Sequence, residues 1–176
     1  IEGEYFPESP GQQIWFDRKE FEVDEGWARY QAHWVSRENA LPKGVKLDPE
    51  THLVWCSGLK TWKKLAQRGI WVNGSSESLE EQEKLRTEAL APNVTWCKWT
   101  HTEGGPFHLG DTVASYQLEP RPHRPELSED TEHFYWMSGS SFTEALKYYP
   151  WLKNKQHWAG PGHTGARIES VIAKNQ

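Results

Sequence analysis

The stretch HLVWCSGLKTWKKLAQRGIWV, residues 52–72, decides the fold. It opens with an apolar run that stops at Ser57-Gly58, and from Leu59 to Leu65 apolar residues recur at the three-residue spacing of an amphipathic helix. Gly69 is a typical helix-ending residue, and a second short apolar run follows it. The pattern therefore predicts a strand, turn, helix, strand unit whose two strands are parallel.

The same order recurs in residues 133–165, HFYWMSGSSFTEALKYYPWLKNKQHWAGPGHTG. An apolar run ends at the turn of residues 138–141, a helix interrupted at Pro150 follows, and another strand leads to a Gly-rich turn and a terminal helix. Two such units predict an α/β fold in which parallel sheets are flanked by helices. We expect one or two small lobes, with a first lobe over residues 1–112 and a second over 113–176.

The segments between these units predict further elements of the same kind. Residues 24–31 favour one or two helical turns, and residues 78–90 favour an acidic amphipathic helix capped by Ser78. Short apolar runs before and after them predict strands, including a return strand that carries Tyr116. The Pro-containing segment 121–130 predicts a connector.

The turns that follow the strands are the predicted ligand-binding sites. In a parallel α/β sheet, ligands bind at the carboxyl ends of the strands, where helix N-termini present unpaired N–H groups to an anion. Gly lets a ligand approach the backbone, and Ser or Thr donates a hydrogen bond or caps the helix. The predicted ligand-binding residues are Ser57, Gly58, Ser138, Gly139, Ser140, Gly160, Gly162 and Thr164. The simpler alternative is that each turn only caps a helix.

Known nucleotide and catalytic motifs are missing from the sequence. It has no Gly-Lys-Ser/Thr phosphate loop and no GxGxxG pattern, and Ser138 is not within a GxSxG elbow. The 8 His residues are scattered without metal-ligand spacing, although His163 lies in the Gly-rich turn. We therefore expect neither a metal nor a cofactor.

Composition excludes several classes of partner. A net charge of -5 and a pI near 5.9 argue against nucleic acid, and no apolar stretch approaches the roughly 20 residues that span a bilayer. We expect a soluble, cytoplasmic protein that binds no membrane. Cys56 and Cys97 suggest buried thiols, with a single disulfide as the less favoured alternative.

Taken in order, these elements resemble the uroporphyrinogen-III synthase family. The resemblance rests on HLVWCSGLKTWKKLAQRGIWVNG, then SYQLEP, then HFYWMSGSSFTEALKYYPWL and AGPGHTGARI, and it covers about residues 50–170. It implies a lyase of tetrapyrrole (heme) biosynthesis that cyclises hydroxymethylbilane while inverting the last pyrrole ring, without cofactor or metal. The linear tetrapyrrole would be held through its acetate and propionate groups in a cleft between two lobes.

The resemblance also assigns roles to single residues. Tyr116 matches the family's return-strand tyrosine and would assist departure of the substrate hydroxyl, whereas Ser138 and Thr164 match binding positions. The chain begins at Ile1 and is shorter than the family's usual span. We therefore expect a segment of a longer protein, such as the C-terminal part of a fusion with hydroxymethylbilane synthase, or a degenerate relative.

Two rival functions remain open at this point. The first is a non-enzymatic module that binds an anionic or sugar-like small molecule through the same turns and some of the 11 Trp side chains. The second is an interaction domain in which the turns are only helix caps.

Overall fold

The computed structural model of the protein describes residues 3–77, 92–160 and 162–172. The predicted helix at residues 78–90 therefore lies outside the described residues. The chain forms two compact units, one of residues 18–118 and one that combines residues 1–17 with residues 119–176. This division differs from the predicted lobes 1–112 and 113–176, because the N-terminal segment belongs with the C-terminal one. No helix in the described ranges is long and apolar enough to cross a membrane.

The unit of residues 18–118 is built on a six-stranded sheet with the order β2-β7-β6-β3-β4-β5. Its strands are β2 (Phe16–Glu20), β3 (Ala32–Val35), β4 (Leu53–Cys56), β5 (Gly74–Ser75), β6 (Trp96–His101) and β7 (Gly110–Pro120). The pairs β3–β4, β3–β6, β4–β5 and β6–β7 are all parallel. The strand ends after β3, β4 and β6 therefore lie along one edge of the sheet.

Helix α1 (Leu59–Gln67) connects the parallel strands β4 and β5, as the sequence predicts. Its Leu65 is fully buried with Val54 and Cys56 of β4, which accounts for the three-residue spacing of apolar positions. Gly69 adopts a positive φ of 76°, and the N–H of Ile70 returns to the carbonyl of Leu65. This left-handed residue ends the helix and turns the chain back to the sheet.

Large aromatic side chains fill both faces of this sheet. One face buries Trp99 with Leu65, whereas the other buries Trp34 and Trp96 with Phe107 of the loop between β6 and β7. Because a parallel sheet is covered on both faces, β3 is buried at all of its positions and shows no polar alternation. The Trp-rich composition is thus largely explained by core packing.

The second unit contains a three-stranded sheet with the order β1-β8-β9, in which both pairs are parallel. Its elements are β1 (Tyr5–Phe6), β8 (His133–Trp136), α2 (Gly139–Tyr148), β9 (Gln156–Ala159) and α3 (His163–Ile172). The core beneath the helices includes Phe134, Trp136 and Phe142, all fully buried. Pro150 ends the helical run, and residues 150–154 continue as a 3-10 turn.

The fold class predicted from the sequence is confirmed: parallel strands alternate with helices. Three local predictions needed adjustment. Residues 25–29 form a 3-10 turn, the strand after α1 lies at Gly74–Ser75 and not at the apolar run 70–72, and the return strand, predicted over 113–120, begins at Gly110. Cys56 and Cys97 are buried free thiols, as expected.

Candidate functional site

The first predicted turn, Ser57-Gly58, joins β4 to α1 at the carboxyl edge of the six-stranded sheet. The Ser57 hydroxyl donates to the carbonyl of Ser36, at 2.6 Å, and lies 3.3 Å from the Thr61 hydroxyl. Ser36 follows the neighbouring strand β3, so Ser57 ties two strand ends together. The N-cap of α1 is Gly58, which has no side chain with which to cap the helix. The first N–H groups of α1 therefore have no side-chain cap at this edge.

Tyr116 lies at the same edge, because it pairs in register with His101 at the carboxyl end of β6. Strands β6 and β3 separate β7 from β4, so Tyr116 is about 14 Å from the first turn, or three strand spacings. The Tyr116 residue is 4% exposed. Its phenolic oxygen has no hydrogen-bond partner among the described residues and is not one of the side-chain atoms cut off from solvent. The ring is thus held in the core, and the hydroxyl is not bound by another described residue.

Two side chains enclose the Tyr116 ring. The guanidinium of Arg18 lies over the ring, with its carbon 3.8 Å from the ring centroid, and the centroid of the His101 ring lies 5.7 Å away. Burial lowers the pKa of His101, and the nearby charges of Arg37 and Lys98 act in the same direction. Since His101 Nδ1 accepts from the Glu103 N–H, its proton is assigned to Nε2. Tyr116 therefore has a neutral imidazole and a cation for neighbours.

The second turn, Ser138 to Ser141, is a helix cap. The Ser138 hydroxyl oxygen accepts from the N–H of Ser141 at 3.1 Å, and the two hydroxyls are 2.9 Å apart. This cap satisfies the third N–H of α2. The N–H groups of Gly139 and Ser140 precede it and have no acceptor within the helix. The capping alternative is thus true of the Ser138 side chain, but two backbone donors remain for a ligand.

The third predicted turn, which ends at Thr164, lies close to the second turn at Gly139. A Cβ on Gly139 would lie 3.2 Å from two side-chain carbons of Arg167 and 3.8 Å from the Thr164 Cα. The start of α2 therefore touches the first turns of α3, and the lack of a side chain at Gly139 permits that approach. Gly162, which has a φ of 112°, directly precedes α3. Two helix N-termini, each with partial positive charge, are brought together at this edge.

One cation lies beside the starts of α2 and α3. Arg167 is exposed on α3, and its Nε donates to the Thr143 hydroxyl at 3.4 Å. The rest of its guanidinium can meet an anion bound at the two helix starts. Sequence reasoning missed both Arg167 and Arg18, because neither lies in a recognisable motif.

The structure thus places the predicted residues in two groups. Ser57, Gly58 and Tyr116 lie on one edge in the unit of residues 18–118, and the remaining six lie on one edge in the other unit. These six are Ser138, Gly139, Ser140, Gly160, Gly162 and Thr164. In the described ranges, no group of three or more His, Cys, Asp or Glu side chains is arranged to hold a metal ion.

No family model matches this sequence, and no curated protein matches it either. Solved structures do match. The uroporphyrinogen-III synthetase of Helicobacter pylori superposes with a TM-score of 0.52 at 9% identity, covering 93% of this chain and 92% of the other. The chain has the fold of that synthetase. A mutant uroporphyrinogen III synthase of Thermus thermophilus matches with a TM-score of 0.46 at 9% identity, over 92% and 88% of the two chains.

Proposed function

We propose that this protein is a uroporphyrinogen-III synthase-like lyase, which closes hydroxymethylbilane into a macrocycle and inverts its last pyrrole ring. The observation that carries the proposal is Tyr116, whose unpartnered hydroxyl lies at the carboxyl edge of a parallel sheet in a chain of this fold. Position and chemistry both fit a residue that assists departure of the substrate hydroxyl.

In the proposed reaction, the main task of the protein is to hold the substrate in position. Departure of the hydroxyl as water leaves an azafulvene, a spiro intermediate rearranges the terminal ring, and closure gives the macrocycle. Tyr116 donates a hydrogen bond to the departing oxygen, which is general acid assistance. Holding the linear chain so that its ends meet supplies the remaining advantage.

Each unit, taken by itself, offers partners for anionic side chains of the substrate. The uncapped start of α1 at Gly58 offers N–H groups and a partial positive charge, and so does the paired start of α2 and α3 at Gly139 and Thr164. Arg167 adds a full charge to the second of these edges. Local donors of this kind bind carboxylates even though the whole chain has a net charge of -5.

The test is a product analysis. The protein is incubated with hydroxymethylbilane, the products are oxidised to porphyrins, and the I and III isomers are separated by chromatography. We expect the III isomer, and we expect Tyr116→Phe to reduce its rate of formation by about a hundredfold or more. Tyr148→Phe is the matched control, because Tyr148 is 44% exposed and also has an arginine over its ring. Only the I isomer, formed at the uncatalysed rate, would refute the proposal.

One observation favours a second candidate, a binding module for a sugar-like molecule. Tyr5, Tyr135 and Trp158 are 63%, 46% and 47% exposed and lie on the outer face of the three-stranded sheet. Aromatic rings on an open face stack against the apolar side of a pyranose ring. Trp fluorescence titrations decide between the candidates: a shift with oligosaccharides that Trp158→Phe abolishes supports this module. Trp71→Phe is the control, since Trp71 is 65% exposed but lies in the other unit.

A further inference from the structure

The guanidinium of Arg18 is largely withdrawn from solvent and lies against the ring of Tyr116. Its side chain is 20% exposed, and its carbon lies 3.8 Å from the centroid of the Tyr116 ring. Its Nη2 donates to the carbonyl of Asn39, and its Nε lies 3.2 Å from a carboxylate oxygen of Glu20. Arg18 and Tyr116 come from β2 and β7, which are adjacent in the sheet.

Part of this guanidinium lacks hydrogen bonds. The Nε and Nη1 atoms are fully buried and make no hydrogen bond in the described part of the chain, although Nε keeps its ion pair with Glu20. A buried donor that loses water without gaining an acceptor costs stability, and a cation costs more than a neutral group. A methionine or leucine would fill the same space without this cost. The arginine therefore calls for an explanation other than stability.

In the other arginine–tyrosine stacks of the described residues, the cation is exposed. Arg29 lies 4.8 Å from the ring centroid of the buried Tyr30, but its side chain is 70% exposed. Arg124 lies over the ring of Tyr148 at 4.1 Å, but both residues are exposed, and water and salt weaken the attraction there. At Tyr116 the ring is buried and the guanidinium nearly so, and a desolvated cation interacts more strongly with an aromatic face.

We propose that Arg18 is a positioning residue for Tyr116. Its planar guanidinium covers one face of the ring and fixes the direction of the hydroxyl, with the Asn39 carbonyl and Glu20 holding the guanidinium in place. Its charge also stabilises the negative charge that develops on the phenolic oxygen as the proton moves toward the departing hydroxyl of the substrate. This role rests on the proposed function, since it assigns Arg18 to the same step as Tyr116.

The kinetic test compares Arg18→Met with Arg18→Lys and with the control Arg124→Met, which removes the exposed stack in the other unit. We expect Arg18→Met to lower kcat by about tenfold with KM changed less than about twofold, because the interaction matters only in the transition state. We expect Arg18→Lys to recover part of the loss and Arg124→Met to behave like the wild type. In a Tyr116→Phe background, Arg18→Met should have no further effect. An unchanged kcat, or the same loss in that background, overturns the proposal.

A second measurement does not depend on activity. With ring-labelled tyrosine, the Tyr116 signals are assigned by their loss in Tyr116→Phe, and the flip rate of its ring is measured by nuclear magnetic resonance. We expect Arg18→Met to raise that rate at least about tenfold, whereas Arg18→Lys raises it less and Arg124→Met leaves it unchanged. If the wild type forms no III isomer, the proposed function fails, and the ring measurement alone decides the role of Arg18. A flip rate equal to that of the wild type then refutes it.

Discussion

The ring of His33 accepts a hydrogen bond from the indole N–H of Trp99, with 3.1 Å between Nδ1 and Nε1, in a site that is fully buried. Burial, together with repulsion from the nearby His52, lowers the pKa of His33 from 6.5 to about 4. The folded protein therefore holds this imidazole neutral, whereas the unfolded chain protonates it below about pH 6.5.

This linkage predicts acid destabilisation. Stability that is present above pH 6.5 is lost as the pH falls toward about 4, because the unfolded state binds the proton first. We expect the loss due to His33 to approach about 3 kcal/mol. In His33→Gln, whose amide oxygen can still accept from Trp99, the drop in unfolding free energy between pH 7 and pH 4 should shrink by about 2 to 3 kcal/mol. Urea titrations followed by Trp fluorescence measure this. His123→Gln, a change at an exposed histidine, should leave the drop as in the wild type.

Substitution of Arg68 should lower the free energy of unfolding strongly, and this residue has no part in the proposed reaction. Its Nη1 donates to the carbonyls of Glu38 and Leu41 and to the Glu38 carboxylate, and its Nη2 donates to the carbonyl of Pro42. Arg68→Met leaves these acceptors unpaired, and we expect a loss of about 2 to 4 kcal/mol in unfolding free energy. Arg121→Met removes only an exposed ion pair with Asp17 and should cost less than about 1 kcal/mol. Equal losses in the two variants would contradict this account.

Because α2 and α3 approach closely at Gly139, a larger side chain at this position should destabilise the protein. In Gly139→Val, the new side chain meets Arg167 carbons already 3.2 Å from the first added atom, and we expect a loss of about 1 to 3 kcal/mol. Gly160→Ala is the control, because its Cβ would only reach an ordinary contact of 3.8 Å with the Tyr135 hydroxyl. Thermal unfolding of both variants tests the difference. A destabilised Gly160→Ala beside an unaffected Gly139→Val would show that the helix starts do not meet in this way.

The cap at Ser138 can be tested in the same manner. Ser138→Ala removes the acceptor of the Ser141 N–H, and we expect a loss of about 1 kcal/mol. Ser140→Ala alters an exposed side chain in the same turn and should change stability by less than about 0.5 kcal/mol. Similar melting temperatures for Ser138→Ala and the wild type would argue against the cap.

The thiols provide a chemical check on the packing. Burial raises the pKa of Cys56 to about 11 and that of Cys97 to about 12, so neither is a thiolate near neutral pH. We expect no reaction with a disulfide reagent at pH 8 in the native protein, and reaction of both thiols in denaturant. Rapid labelling of the native protein would show that these strands open readily.

The sequence predicted the repeated units well, because their apolar spacing and turn residues act locally. Helix α1 ends shortly before Gly69 and α2 begins after Ser138 for reasons that can be read from a few neighbouring residues. The position of Tyr116 in the sheet was harder to predict. It opposes His101 only after a register shift between Thr100 and His101, and no local pattern fixes such a shift.

Contacts between distant segments were beyond sequence reasoning. Arg18 lies in FDRKE, a polar strand whose pattern gives no sign that one of its cations covers a tyrosine on β7. The approach of Gly139 to Thr164 likewise depends on how two helices pack, not on either turn alone. The predicted division of the chain differs for the same reason, since the partner of β1 is β8.

That pairing of β1 with β8 has a consequence for synthesis on the ribosome. Tyr5 and Phe6 pair with His133 and Phe134, whereas the unit of residues 18–118 draws its contacts from one continuous stretch. The continuous unit can fold as soon as it leaves the exit tunnel. The segment before residue 18 leaves the tunnel earlier than that unit but must wait, with Phe6 and Trp15 still unburied, until nearly the whole of the second unit has been translated. Of these two units, the one that contains the earlier-translated segment is therefore the later to fold.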